Sequence, residues 1–572
     1  MRVPWTLLGH ITFELWRHVL LITVVVVLVM AFGATAQQYA KGLLSAVDTL
    51  KFMILASVPM LAYAIPFAGA LAATLTYHRM AQDRELMAAQ AGGMSPMALL
   101  VPTLAAGLVL TASLVVLTEQ LIPRFLQRMG EVASGQAAGL ISRAIDRGEA
   151  VQVEGYLLYA DRVLNPPVTH PSVQDHLVLF GAHMVRLDEE GDMASWGAAA
   201  TADLWIMKPK EFTQAELRTE GRAGRTDRVS EVIYLVRDAV GDGGRLSGGR
   251  VGEYRSRWTM PSGTGDHPKY LTWGELRQVA RDPDPMGPID AARRDLAYHL
   301  ALRFVIGHIV DQLRAGRSVR LKGVDASELI LRAGGIQWND PDKTWDLEPP
   351  RGQPITIERF RPVEGGTRTY DRFELGSGTI DTALTGDPMN RGLELTINGK
   401  AVRTALAERP ASDSFEGGVR DVLTFGPLLV EDDPVARLLG LSSTELLAAV
   451  EAHNERWGSE DPFLRAPTRD LRGRIEKLHK QVLSKQHERM AMSMTGILLA
   501  FAGAIGAMRL QEAPPLAAYM GSFLPALMLI VLISTGQQMI DDHGPVGIPV
   551  VWAGPMAMAT AAVLLARRMG RR

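Results

Sequence analysis

Apolar positions along this 572-residue chain are strongly segregated. Six stretches, 19–36, 52–77, 97–118, 490–508, 514–535 and 545–566, contain no Asp, Glu, Lys, Arg or His. Each has 18 to 26 residues, enough for a helix to cross the hydrocarbon core of a bilayer. One charge at the bilayer centre costs about 2.5–3.5 kcal/mol, so uncharged windows of this length predict six membrane spans. Residues 119–489 between the third and fourth windows are polar and charged, which makes a 3+3 α-helical bundle with a large domain inserted between spans three and four. Within that domain the period changes. Segments 151–160, 176–187, 232–237, 354–361 and 393–402 are short and rich in Val, Ile, Leu and Tyr, several of them alternating with polar residues, and predict strands. Asn398-Gly399 inside LELTINGKAV predicts a hairpin turn. Segments 291–315 and 468–489 read as helices, the second running into span four, and the pairs Thr272/Glu275 and Ser442/Glu445 predict capping boxes.

Punctuation supports the spans. Ser95-Pro96, Pro514-Pro515 and Pro545 stand where helices begin, and Pro59, Pro66, Pro102, Pro525 and Pro555 lie inside spans and predict kinks. Gly69 with Ala73, and Gly496 with Ala500 and Ala504, mark faces on which helices can approach closely. A signal peptide would explain Arg2, the first apolar run and Ala34-Thr35-Ala36. The long leading segment with Phe13, Glu14 and Trp16 instead predicts an uncleaved first span.

Composition changes the picture in three ways. A mean hydropathy of +0.06 averages two populations and says nothing about solubility. A net charge of −2 and a pI of about 6.7 give no support to a nucleic-acid partner. The absence of cysteine excludes disulfides, thiolate metal sites and thiol nucleophiles. Basic residues beside the spans set the orientation: Arg2, Arg17, Arg79, Arg84, Arg509, Arg567, Arg568, Arg571 and Arg572 share one side, which is therefore cytoplasmic with both termini. The polar domain is then extracytoplasmic. Lys41 and Lys51, in the outer loop after span one, run against this rule.

Catalytic signatures fail where they can be tested. Gly399-Lys400 is followed by Ala401 rather than the Ser or Thr of a phosphate loop, and Gly376-Ser377-Gly378 ends in Asp381. His487-Glu488 has Ala491 where a second zinc ligand would stand. These absences predict no cofactor and no metal, and a chain that is not an enzyme. The informative segment is 78–94, between spans two and three. Residues 78–91 favour a helix stopped by Gly92-Gly93, with Met80, Arg84, Met87 and Ala91 on one stripe. Such a helix can receive force from a separate motor, or serve as a plain connector.

At this segment the chain resembles the LptF/LptG family, the permeases of the lipopolysaccharide-export ABC transporter. Asp83, Glu85, Leu86, Ala88, Ala91, Gly93, Ser95 and Pro96 fit the family's run between spans two and three. The start LGHITFELWRHVLL, Glu488-Arg489-Met490-Ala491 at span four, and Gly547-Ile548-Pro549 with Trp552 and Pro555 extend the resemblance. It implies that the inserted β-rich domain is a periplasmic jellyroll, which 150–300 resembles, closed by the helix LTWGELRQVA. The region 300–440 is an enlargement that the family pattern does not cover.

The resemblance also implies a machine. Two related permeases enclose a cavity above a cytoplasmic ATPase dimer, which binds the ATP. Arg84, Glu85, Leu86 and Met87 match the segment that couples to the ATPase, with Glu85 as the docking carboxylate. Lipopolysaccharide enters the cavity from the inner membrane and passes through the jellyroll to periplasmic bridge proteins, and Lys41 is the candidate contact to its phosphates. The alternatives are a permease of another lipid or lipoprotein exporter, which would place its large domain after a single span, and a membrane scaffold or sensor, which would bind no ATPase.

Overall fold

The computed structural model describes residues 5–40, 46–127, 137–153, 156–168, 170–187, 193–208, 210–211, 228–241, 251–260, 267–323, 327–339, 344–362, 368–384, 393–405, 419–429 and 434–570. Among the described residues five stretches are long and apolar enough to cross a membrane: Trp5–Ala36, Met53–Gln82, Pro96–Gln127, Pro462–Arg509 and Pro515–Arg568. The last has 54 residues and would measure about 80 Å as one helix, far beyond a bilayer. It is in fact two helices folded against each other, and a Cβ on Gly536 would strike the Val551 backbone.

The first helices are α1 (Trp5–Ala40), α2 (Ala46–Gln82), α3 (Glu85–Ala91), α4 (Pro96–Leu99) and α5 (Val101–Val116). A π-helical turn, Leu117–Leu121, continues α5 into residues 122–127. After the strands and helices of the polar domain, α11 (Pro462–Arg509) returns to the bundle. It is followed by α12 (Pro515–His543) and α13 (Ile548–Gly570), joined through a 3-10 turn at Gly544–Gly547 that contains Pro545. Pro102 does not kink a span from within, as its position predicts. The helix breaks at Leu100 and Pro102 falls in the first turn of α5, where its missing N–H costs nothing.

Glycine lets the bundle close. A Cβ on Gly503 of α11 would lie 2.5 Å from the Ala70 carbonyl oxygen and 2.9 Å from Thr74 Oγ1 on α2. One on Gly496 would lie 2.9 Å from the Thr111 backbone nitrogen on α5. With no hydrophobic drive between helices in lipid, such close backbone approach and its dispersion contacts hold the helices together.

Among the described residues the polar domain contains two sheets, both antiparallel. The first has strands β1 (Val151–Val153), β2 (Tyr156–Tyr159), β3 (Arg162–Leu164), β4 (Val173–Leu187), β5 (Met193–Met207), β6 (Lys210–Glu211), β7 (Arg228–Gly241) and β8 (Val251–Met260). They run β1-β2-β4-β5-β7-β6, with β3 on β4 and β8 on β7. Helix α6 (Ala137–Asp146) covers one face, its Ala138, Ile141 and Ile145 packing on Leu177, Leu179 and Ala202.

Helices α7 (Trp273–Arg281) and α8 (Gly287–Arg314) lead to the second sheet. Its strands are β9 (Val319–Gly323), β10 (Glu328–Arg332), β11 (Gly335–Asn339), β12 (Thr344–Glu348), β13 (Ile355–Pro362), β14 (Arg368–Leu375), β15 (Ser377–Leu384), β16 (Leu393–Ala405) and β17 (Val419–Leu429). The pairings β9-β10-β13-β14-β16-β17 return from β17 to β9 and close a circuit. Phe373 and Phe425, on strands that are not neighbours, meet at 5.1 Å. The buried residues of this unit share one core with α8, with α9 (Val435–Leu439), with α10 (Ser443–Trp457) and with the first half of α11. Arg303 and His453 both reach the Asp461 carboxylate at the start of α11, at 2.6 and 3.1 Å, and tie α8 and α10 to it.

Asn398-Gly399 is not a hairpin turn. Both residues lie inside β16, with Asn398 donating to Asp381 and accepting from Thr424 across the neighbouring strands. Long-range pairing on both edges overrides the dipeptide's turn preference. A Cβ on Gly399 would lie 2.6 Å from Leu375 Cδ2, so that side chain would have to shift. Both predicted capping boxes form.

Candidate functional site

The segment between α2 and α4 is an elbow rather than the continuous helix 78–91 that its composition predicts. Helix α2 ends at Gln82, Arg84 adopts a left-handed conformation (φ 59°), and α3 begins at Glu85. A non-glycine residue there costs about 1–2 kcal/mol. The burial of Leu86 offsets it: this side chain, 2% exposed, packs in a cluster with Tyr77, Met80, Leu99, Leu100 and Met508. The stripe of Met80, Arg84, Met87 and Ala91 is therefore broken, because α3 does not continue the register of α2.

Arg84, Glu85 and Met87 are exposed while Leu86 anchors the elbow from below. The second bend is set by Gly93 (φ 89°), and Ser95 caps α4 by accepting from Ala98 N at 3.2 Å. Tyr77 stiffens the elbow by donating to the Leu99 carbonyl at 2.6 Å and accepting from Thr103 at 2.8 Å. Beside it, Glu14 faces Arg17 at 3.1 Å and Arg79 at 3.6 Å, and Arg79 also faces Asp83. The elbow thus presents the Glu85 carboxylate, the Arg84 guanidinium and the Met87 thioether on a braced support, with the Asp83 carboxylate exposed beside them.

The same apolar cluster contains Ile11, Ile505 and Ala566, so the elbow, the start of α1 and the C-terminal ends of α11 and α13 share one end of the bundle. Arg79, Arg509, Arg567 and Arg568 lie there. Arg489 stands twenty residues before Arg509 on α11, about 30 Å away, which is the thickness of the hydrocarbon core. The polar domain joins the bundle at that far end.

Sequence reasoning missed a second surface. On the face of the first sheet opposite α6, paired positions bring Trp205 beside His176 and Ile233, and Asp203 beside Val178 and Leu235. These apolar side chains are only half-buried. Asp203 is held by His176 at 3.1 Å and by Arg237 at 2.8 Å, and the His176 ring stacks on Trp205 at 5.0 Å. Strand alternation alone could have indicated an apolar second face, but the pairing partners are distant in sequence. Lys41 lies outside the described residues. Among the described residues no group of His, Cys, Asp and Glu is arranged to hold a metal ion.

Residues 14–165 match the family described as lipopolysaccharide export system permease LptF/LptG. The match takes in α1 to α6 and the first strands, and with them the whole elbow. No curated protein matches the chain.

Proposed function

From the family assignment of residues 14–165, we propose that this chain is a permease subunit of an ABC transporter that extracts lipopolysaccharide from the inner membrane. A separate cytoplasmic ATPase dimer drives it, and a second related permease completes the cavity. In this reading the spans are arranged three plus three, both termini are cytoplasmic and the two-sheet domain is periplasmic. The observation that carries the proposal is the elbow within the matched region. It exposes Glu85, Arg84 and Met87 at the end of the bundle opposite the polar domain, where an ATPase would push.

Mechanism follows from the mounting. Glu85 leads α3, where its negative charge is favoured by the helix dipole and remains free to meet a basic or amide-lined groove. Because Leu86 is locked into the cluster of α2, α4, α5 and α11, displacement of α3 would carry those helix ends with it. The half-buried apolar face of the first sheet suits acyl chains leaving the membrane, on their way to periplasmic bridge proteins. The second sheet has a packed core, so it adds a folded unit beside the route rather than a wider channel. ATP would be bound by the partner subunit and no cofactor by this chain. Lys41, after α1, keeps its role as candidate contact to lipid phosphate.

The absence of native cysteine makes the test clean. Single variants Met87→Cys and Arg351→Cys should be labelled by impermeant thiol reagents from opposite sides of the membrane. The thiol at 87, carrying a short cross-linker, should capture the ATPase. Labelling of both from one side, or no ATPase captured at 87, contradicts the proposal.

A further inference from the structure

We propose that Arg489 is a positioning residue that ties the membrane bundle to the polar domain, gripping Glu119 of the third span and the Lys269 carbonyl at once. The inference rests on the transport reading above and names the contact through which span movement reaches the domain.

Arg489 is 7% exposed. Its Nη1 faces Glu119 Oε2 at 3.5 Å, and its Nη2 donates to the Lys269 carbonyl at 3.4 Å. The planar guanidinium fork suits two partners in different directions better than an ammonium would. A second tether lies alongside: Gln127, on the helical continuation of α5, donates to the Tyr270 carbonyl at 2.7 Å. Two successive carbonyls of the 3-10 turn Pro268–Tyr270 are therefore held by the membrane helices.

That turn is joined directly to the domain's core. Leu271, 1% exposed, follows it, and the Thr272 capping box then starts α7, whose Leu276 and Val279 belong to the core shared by α8 and the second sheet. Movement of the turn would be passed to that core rather than absorbed by a loop.

Glu119 reaches Arg489 because of the π-helical turn Leu117–Leu121. Without its extra residue, Glu119 would be rotated by about 100° around the helix. Thr118 helps stabilise the wide turn, donating to the Leu114 carbonyl at 2.8 Å and lying 3.5 Å from Ser493 on α11. π-Helical turns are rare, occur mostly as single turns inside α-helices and are frequent at functional sites. A buried ion pair is a poor device for stability alone, since apolar side chains of similar size often serve as well. That fact also separates coupling from mere support.

The full chain, its partner ATPase and the second permease are reconstituted with purified lipopolysaccharide, and the lipopolysaccharide released per ATP hydrolysed is measured. The double variant Glu119→Leu/Arg489→Met keeps the site filled. It should assemble and hydrolyse ATP at near the wild-type rate while release per ATP falls about tenfold, within the usual span of coupling between sites. Gln127→Leu, which leaves the ion pair intact, should lower the same ratio by several-fold. Wild-type ratios in both variants, or a fall that only tracks the amount of assembled complex, overturn the inference and leave the transport reading standing. No ATP-driven release by the wild type overturns both.

Discussion

His267 shows how one side chain can report the state of the junction between bundle and domain. Burial pushes its imidazole down to about 4, and the Lys269 and Lys485 ammonium groups push the same way. Its Nδ1 accepts from Lys269 N at 3.2 Å, which requires that nitrogen to be unprotonated. The folded chain keeps this ring neutral at pH 5, whereas the unfolded chain protonates it near 6.5. Stability is therefore unaffected above pH 6.5, falls as the pH drops towards 4, and loses nothing more from this group below that. Because the ring is only half-buried, solvent screening holds the loss to about 1 kcal/mol. His267→Asn keeps a side-chain acceptor without the titration. Thermal unfolding in detergent at pH 7.5 and pH 5 should show a smaller difference between the two pH values for this variant than for the wild type. Residue identity made the capping boxes legible, because a cap is a local contact between positions three apart. It did not make Arg84 legible: a left-handed arginine is dictated by the burial of Leu86 two positions later, which depends on α2, α4, α5 and α11.

Helix packing decides which small residues matter. Gly503 and Gly506 are three residues apart on α11, yet a Cβ on Gly503 would press into the Ala70 carbonyl oxygen while one on Gly506 would meet nothing within 4 Å. Gly503→Ala should destabilise the bundle by about 1–3 kcal/mol, since the obstacle is backbone. Gly506→Ala should be neutral or stabilise by up to about 1 kcal/mol through helix propensity. Unfolding midpoints of the purified chain in detergent would show the opposite signs, and a stable Gly503→Ala variant would contradict the packing. The apolar stretches themselves were legible, because the cost of a charge in hydrocarbon acts on every position of a long window. Strand pairing was not. Asn398-Gly399 carries a strong local turn signal, but β16 is bound along its length by β15 on one side and β17 on the other. Nothing in the strand pattern shows that the region after 318 forms its own sheet with a closed circuit of pairings, because each closure joins segments far apart in the chain.

Across the whole molecule the two ends of the bundle have different chemistry. One carries the exposed elbow and the basic helix ends, and the other carries the junction with the two-sheet domain. Helix α11 runs through both, 48 residues long, with its first half in the domain's core and its second half packed on α2 and α5. Such a continuous rod suits a chain that passes motion from one side of a membrane to the other. The central claim is that ATP hydrolysed by a partner acts through the elbow to move lipopolysaccharide. Its most direct measurement is ATP-dependent release of lipopolysaccharide from proteoliposomes containing the full chain, the second permease and the ATPase, compared with Glu85→Lys in the same chain. The account predicts release by the wild type and near-background release by Glu85→Lys with the chain still folded. Equal release by the two proteins, or no ATP-dependent release by the wild type, would contradict it.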